Sequence, residues 1–154
     1  MKRTALRSCA AVVIAALSLT AGCDDGGPDG PDLIGRWRVT ALEDGTGDLT
    51  AVVHQAFHVI RFEFAPDGSF RWFQDGVDDR DDDLITGAYA LDPDGPDAGT
   101  VRLTLEDDGF AVQLDFDLTV LTADRIRLAT RADRFNEISE ADFSGTLIVT
   151  LDRL

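Results

Sequence analysis

Lysine is all but missing from this chain: Lys2 is the only one, and every basic residue beyond Arg7 is an arginine. Cysteine is nearly as scarce. Cys9 and Cys23 are the only two, so neither a disulfide framework nor a four-ligand thiolate metal site can be built from them. There are two histidines, one tyrosine and one methionine. Charge of one sign is in short supply as well, with 14 basic residues against 29 acids and a net charge of −15. The overall field of such a surface repels nucleic acid and anionic headgroups, so no nucleic-acid partner is expected. It favours solubility and suits high salt, where self-repulsion is screened. No apolar run reaches the roughly 20 residues that a membrane-spanning helix needs.

The first segment carries a pattern of its own. Lys2, Arg3 and Arg7 form a positive start, and Ala10 to Leu19 is an apolar run broken only by Ser18. Small residues and a cysteine follow, which is the three-part form of a secretory signal. Leu19-Thr20-Ala21-Gly22-Cys23 resembles a bacterial lipobox, and the resemblance implies that Cys23 receives a diacylglyceryl group and becomes the first residue after cleavage. Residues 1–22 are then a lipoprotein signal peptide, and the partner is a membrane held through covalent lipid. Each buried acyl methylene contributes ~0.8 kcal/mol, so two or three chains anchor stably where one does not. An ordinary signal peptide cut near the same place is the alternative. Either way the domain lies outside the cytoplasm. The lipid would attach it to the inner or the outer membrane, and Asp24 matches a rule that retains some lipoproteins at the inner one. Cys9 leaves with the signal. Beyond Cys23, eleven arginines face all 29 acids, a net charge of −18.

Asp24 to Asp32 (DDGGPDGPD) holds no large apolar residue, so residues 23–32 read as a flexible tether and residues 33–154 as one domain. From Leu33 the hydrophobic period is two. Leu33 to Glu43 predicts a strand with Trp37, Val39 and Ala41 on one face. Phe57 to Ala65 predicts a second, with Ile60, Phe62 and Phe64 together. Pro66-Asp67-Gly68 is a turn, because Pro presets φ and Gly accepts positive φ. Ser69 to Gln74 then completes a hairpin, with Phe70 and Trp72 on one side. Further strands are predicted at Leu84 to Leu91, where Tyr89 and Leu91 face together, at Val101 to Leu105, Phe110 to Val120, Arg125 to Thr130 and Ser144 to Leu154. Asp75 to Asp83 and Asp92 to Thr100 read as loops, and Arg131 to Phe143 as a connection with room for one helical turn. The fold class is therefore all-β: an eight-stranded up-and-down antiparallel meander. Eight is the strand number at which such a sheet closes into a small barrel; a β-sandwich with Greek-key links is the alternative.

Gly35-Arg36-Trp37 opens the first strand directly after the tether and resembles the Gly-x-Trp that begins lipocalin-like domains. The order that follows is similar to bacterial lipocalin-like lipoproteins: an apolar strand into a Pro-Asp-Gly turn (Phe62 to Phe70), a Gly-x-Tyr strand (Gly87-Ala88-Tyr89), then paired hairpin strands and a short terminal one. The resemblance covers Leu33 to Leu154. It implies a barrel with Trp37 packed at the closed end beneath a late arginine, Arg153 first and Arg127 second. It also implies a small hydrophobic ligand at the open end. The chain departs from lipocalins in having no Thr-Asp-Tyr motif and no structural disulfide.

Candidate sites are few. Phe62, Phe64, Phe70, Trp72, Tyr89 and Phe116 alternate onto the inner face together with Trp37. They serve either as core, since a small barrel fills itself, or as a cup for an apolar ligand. His54 and His58 have the i, i+4 spacing of a metal pair on a helix, yet the second opens a strand pattern and no third ligand follows. Asp92, Asp94, Gly95 and Asp97 have the look of a calcium loop, but its twelfth position is Leu103 rather than a bidentate acid. Asp78 to Asp83 is a charge run of the kind usually solvated. Gly-x-Ser-x-Gly is absent, and Ser69, Ser139 and Ser144 have no histidine nearby in sequence. No catalytic residue, metal or cofactor is expected.

Overall fold

In the computed structural model the described residues are 30–57, 59–75, 84–107, 110–137 and 142–154. Residues 1–29, which include the expected signal and Cys23, together with His58, the run Asp78 to Asp83, Asp108, Gly109 and Ser139, lie outside them.

The strands are β1 (Gly35–Asp44), β2 (Gly47–Asp48), β3 (Val59–Phe64), β4 (Ser69–Asp75), β5 (Leu84–Pro93), β6 (Ala98–Asp107), β7 (Phe110–Thr122), β8 (Arg125–Arg131) and β9 (Thr146–Arg153); the helices are α1 (Thr50–Phe57) and α2 (Ala132–Asn136). From β3 to β9 each strand pairs antiparallel with the next, and β1 joins β3 on one side and β9 on the other. Eight strands thus close an up-and-down barrel, with the two-residue β2 added beside the end of β1. Closure leaves no long open sheet edge for another chain to extend. The sandwich alternative is excluded by the β1–β9 pairing.

Alternation explains the core. On β3, Ile60, Phe62 and Phe64 point inward and are 6%, 4% and 1% exposed, while Val59, Arg61 and Glu63 point out. Phe70 and Trp72, Val101, Leu103 and Leu105, and Leu114, Phe116 and Leu118 repeat the pattern on β4, β6 and β7. Ile126 and Leu128 with Leu147, Val149 and Leu151 complete the ring.

Three expectations are corrected. Ala41 does not follow Trp37 and Val39 inward. A bulge between Val39 and Ala41 inserts one residue against β9, so Leu42 takes the buried place. The stretch before the second strand is helical. Thr50 N–H donates to Asp48 Oδ1 at 2.8 Å, and its hydroxyl accepts from Leu42 N–H at 3.0 Å, which pins the start of α1 to β1. The β-branched pair Val52 and Val53 masks this helix; Val53 is buried while Val52 is 65% exposed. The second strand therefore starts at Val59, not Phe57. Finally, the loop expected from Asp92 to Thr100 is shorter, because the β5–β6 ladder continues through Asp92–Thr100 to Pro93–Gly99. Proline is tolerated there as the last residue of its strand.

The barrel has two unlike ends. The lower one holds the entering segment 30–34, the turns after β3, β5 and β7, and the final residue. The upper one carries α1, α2 and residues 142–145. Asn136 clamps α2 to that last segment by donating to Phe143 O at 2.8 Å and accepting from Phe143 N–H at 3.1 Å.

Candidate functional site

At the lower end Gly35 lets the chain turn into β1 with φ +138, a conformation that side-chain-bearing residues rarely adopt. The turn lays residues 32–34 across the barrel mouth. Trp37 is completely buried, and its Nε1 donates to Leu33 O at 2.8 Å. Arg153 occupies the last inward position of β9, directly opposite Trp37. Its guanidinium lies 4.5 Å from the indole centroid, within cation–π range. It also donates through Nη1 to Ile34 O and through Nη2 to Asp32 O, both at 2.9 Å. One arginine therefore holds the crossing segment over the tryptophan. Arg127 points outward from β8 and takes no part.

Above this plug the aromatic side chains form a continuous chain. Tyr89 meets Phe64 at 5.1 Å between centroids, Phe64 meets Phe70 at 5.2 Å, Phe70 meets Phe62 at 5.4 Å, and Phe62 meets Trp72 at 5.6 Å. Three of the four contacts are edge-on, the arrangement that ring quadrupoles favour. Trp72 then meets Phe135 of α2 at 5.5 Å, and Phe135 meets Phe143 at 5.8 Å. Five of the six aromatic candidates are thus brought into one stack. Phe116 is buried on β7, opposite Val101. Tyr89 is only partly buried; its hydroxyl donates to Ala65 O at 3.0 Å, and burial followed by the charges of Asp32 and Asp67 pushes its pKa up. Trp72 is 6% exposed, yet its Nε1 has no acceptor among the described residues. An unmade bond of that kind costs about 1–3 kcal/mol.

Phe135 and Phe143 are the functional candidates that the sequence reading missed. The signal was present: Ala132 and Phe135, three apart in a polar stretch, share one buried face of a single helical turn.

The remaining candidates stay apart. His54 lies on α1 with Nε2 buried and unpartnered, and no three His, Cys, Asp or Glu side chains converge as a metal site among the described residues. Asp92, Asp94 and Asp97 sit exposed around the β5–β6 turn, where Asp94 N–H donates to Ala98 O. Ser69 and Ser144 donate backbone N–H groups to Asp67 and Asp44. A groove of about 440 Å³ lies on the outer wall, lined by Gln113, Asp115 and Asp117 of β7, Ala129, Thr130 and Arg131 of β8, Arg134 of α2 and Thr146 of β9.

Surface carboxylates tie turns to strands and set the acid response. The Thr46 hydroxyl lowers the pKa of Asp44, Thr50 that of Asp48, Ser69 that of Asp67, Arg131 that of Asp133 and Arg125 that of Asp152. These groups bind protons more readily in the unfolded chain, so their stabilisation is present at neutral pH and is lost as pH falls through the lowered folded values. The thermal midpoint is therefore expected to fall as the pH drops below the ordinary carboxylate range, about 4. Calorimetry across that range checks it; a midpoint that climbs steadily to pH 3 would refute the role given to these turns.

No protein-family model matches the chain, and no curated protein is matched by it.

Proposed function

We propose that this chain is an exported, lipid-anchored cell-envelope protein whose lipocalin-like barrel is a filled, non-catalytic scaffold. The first 23 residues support export and anchoring through Cys23. The observation that carries the scaffold reading is the unbroken aromatic stack between the Arg153 plug and α2, with Trp37, Phe64 and Phe70 at most 1% exposed. Buried side chains project into the barrel from β1, β3, β4, β6, β7, β8 and β9, which supports a core rather than a cup, and the groove of about 440 Å³ lies on the outer wall.

One observation favours a second reading, a small hydrophobic ligand at the upper end. Trp72 keeps a buried N–H, beside Phe135, that has no acceptor among the described residues. An apolar molecule with one carbonyl, ether or hydroxyl oxygen, seated where Phe135 now lies, would satisfy it.

Mass spectrometry of the protein from its own host membranes tests both parts. A mature chain that begins at a diacylated Cys23 is expected; an unmodified Cys23 ends the anchoring reading. A native spectrum of the released domain free of small molecules, with no uptake of lauric acid, supports the filled scaffold. A stoichiometric adduct lost in the Trp72→Phe variant replaces it with the ligand-binding reading.

A further inference from the structure

Outward-facing arginines are not spread evenly over the barrel. The cross-strand registers place Arg125, Asp152, Arg38 and Arg61 in one row across β8, β9, β1 and β3. Arg36, Glu63 and Arg71 form the next row across β1, β3 and β4. Arg127 stands two residues above Arg125 on β8. Six of the eleven arginines beyond Cys23 therefore share one wall with two carboxylates, Glu63 and Asp152. Within this wall Arg125 pairs with Asp152 and Arg36 with Glu63, at 2.6 and 3.7 Å, which leaves an excess of four positive charges; elsewhere the ratio is different. Arg102 pairs with Asp115, Arg131 with Asp133 and Arg134 with Glu137.

This wall adjoins the lower end, where the chain enters the barrel. Leu154 N–H donates to Arg36 O, and Ile34 O accepts from Arg153. Ile34 and Leu154 are 46% and 55% exposed, so two apolar side chains border the arginines. The rim acids Asp32 and Asp124 face Arg153, at 3.4 and 3.9 Å, and Asp67 in the turn after β3 attracts Arg71 at the edge of the wall.

We infer that this arginine wall, with Ile34 and Leu154 below it, docks against anionic phospholipid headgroups and sets the orientation of the barrel on its membrane. The choice of a membrane as occupant rests on the anchoring reading. Six residues lie between Cys23 and Gly30, so the seven Cα–Cα steps reach at most about 25 Å and the wall stays close to any bilayer that holds the anchor. Guanidinium is the group suited to phosphate, because its planar fork binds two oxygens at once. The net charge of the whole chain repels an anionic surface at long range. Within a Debye length of about 8–10 Å, however, the nearest charges decide, and on this wall they are positive. Short apolar side chains beside basic ones are also the composition of surfaces that lie at a headgroup boundary. The repulsive remainder of the surface makes the contact selective for one face.

Every strand of the barrel finds both neighbours between Gly35 and Arg153, so residues 24–154 contain the whole fold and can be tested without the lipid. Sedimentation with phosphatidylcholine vesicles, with and without phosphatidylglycerol, is the measurement. Binding that requires phosphatidylglycerol and weakens at high salt is expected. Arg38→Gln with Arg127→Gln should lower it about tenfold or more, and Arg36→Gln with Arg71→Gln should repeat the loss from the other row. Arg102→Gln with Arg131→Gln changes the net charge equally and should leave binding within about twofold. Near-UV circular dichroism checks that each variant is folded. Binding to neither vesicle, equal binding to both, or equal loss in all three pairs would overturn the proposal. So would a stable dimer formed through this wall without lipid. The assay does not involve Cys23, so its failure and that of the anchoring reading are seen separately.

Discussion

Trp37→Ala is expected to lower the unfolding free energy by about 3–5 kcal/mol, the range for emptying a buried aromatic site. That is a large share of the 5–15 kcal/mol typical of a domain. Three losses coincide at this position. The indole is the largest fully buried side chain in the barrel, so its removal leaves a cavity that the closed sheet has little freedom to collapse into. Leu33 O loses the donor that holds it at 2.8 Å. Arg153 loses the ring under its guanidinium, and with it part of what keeps residues 32–34 across the mouth. Trp37→Phe separates these effects. Much of the apolar volume returns while the Leu33 hydrogen bond does not, so a smaller loss of about 1–2 kcal/mol is expected. Urea denaturation of both variants provides the comparison. A loss below about 1 kcal/mol for Trp37→Ala would show that the plug is not the closed end of the core.

Gly87→Ala is the second large effect, and it arises from backbone rather than side-chain packing. Gly87 pairs with Phe70 on one side and Leu105 on the other. A methyl group built there would overlap Thr104 O and lie 3.0 Å from Thr104 C and 3.1 Å from Leu105 Cα. All three are main-chain atoms of the neighbouring strand, so no rotamer change relieves the clash and β5 and β6 must move apart. Overpacking of this kind costs about 1–3 kcal/mol and occasionally more. The displacement also reaches Tyr89, two residues on, whose N–H donates to Gly68 O and whose hydroxyl donates to Ala65 O. Loss of stability should therefore come with a weaker near-UV signal from the lone tyrosine. A variant with wild-type stability would mean that β5 and β6 are farther apart than described here.

The strand pattern was legible because a closed barrel with an apolar inner face imposes strict alternation on nearly every strand. Phe62, Phe64, Phe70 and Trp72 could be placed inside from spacing alone. Two features resisted that reading. The bulge at Thr40 shifts the register by one residue, and nothing in Val39-Thr40-Ala41-Leu42 marks it, since both frames put an apolar residue inside. The helix α1 is built from Thr50, Val52 and Val53, residues with strand propensity. What makes it helical is the side chains of Asp48 and Thr50 bonded at its start and Val53 buried below it, both tertiary circumstances. Of the site, the contact between Trp37 and Arg153 was expected from a resemblance and not from the residues themselves. The arginine wall was invisible for a different reason. Its members lie on β1, β3, β4 and β8, far apart in the chain, and only the registers bring them into rows.

The pairing of β1 with β9 also governs when the molecule can fold. Trp37 faces Arg153 across a ladder whose partners are more than a hundred residues apart in sequence. The loop-closure entropy of that ladder is met in full before any of its contacts form, and topologies of this type fold in milliseconds to seconds rather than microseconds. A ribosome that has not yet released Thr146 to Arg153 holds a sheet with two open edges and no lower plug. The chain is thus kept from closing its barrel until β9 has been made.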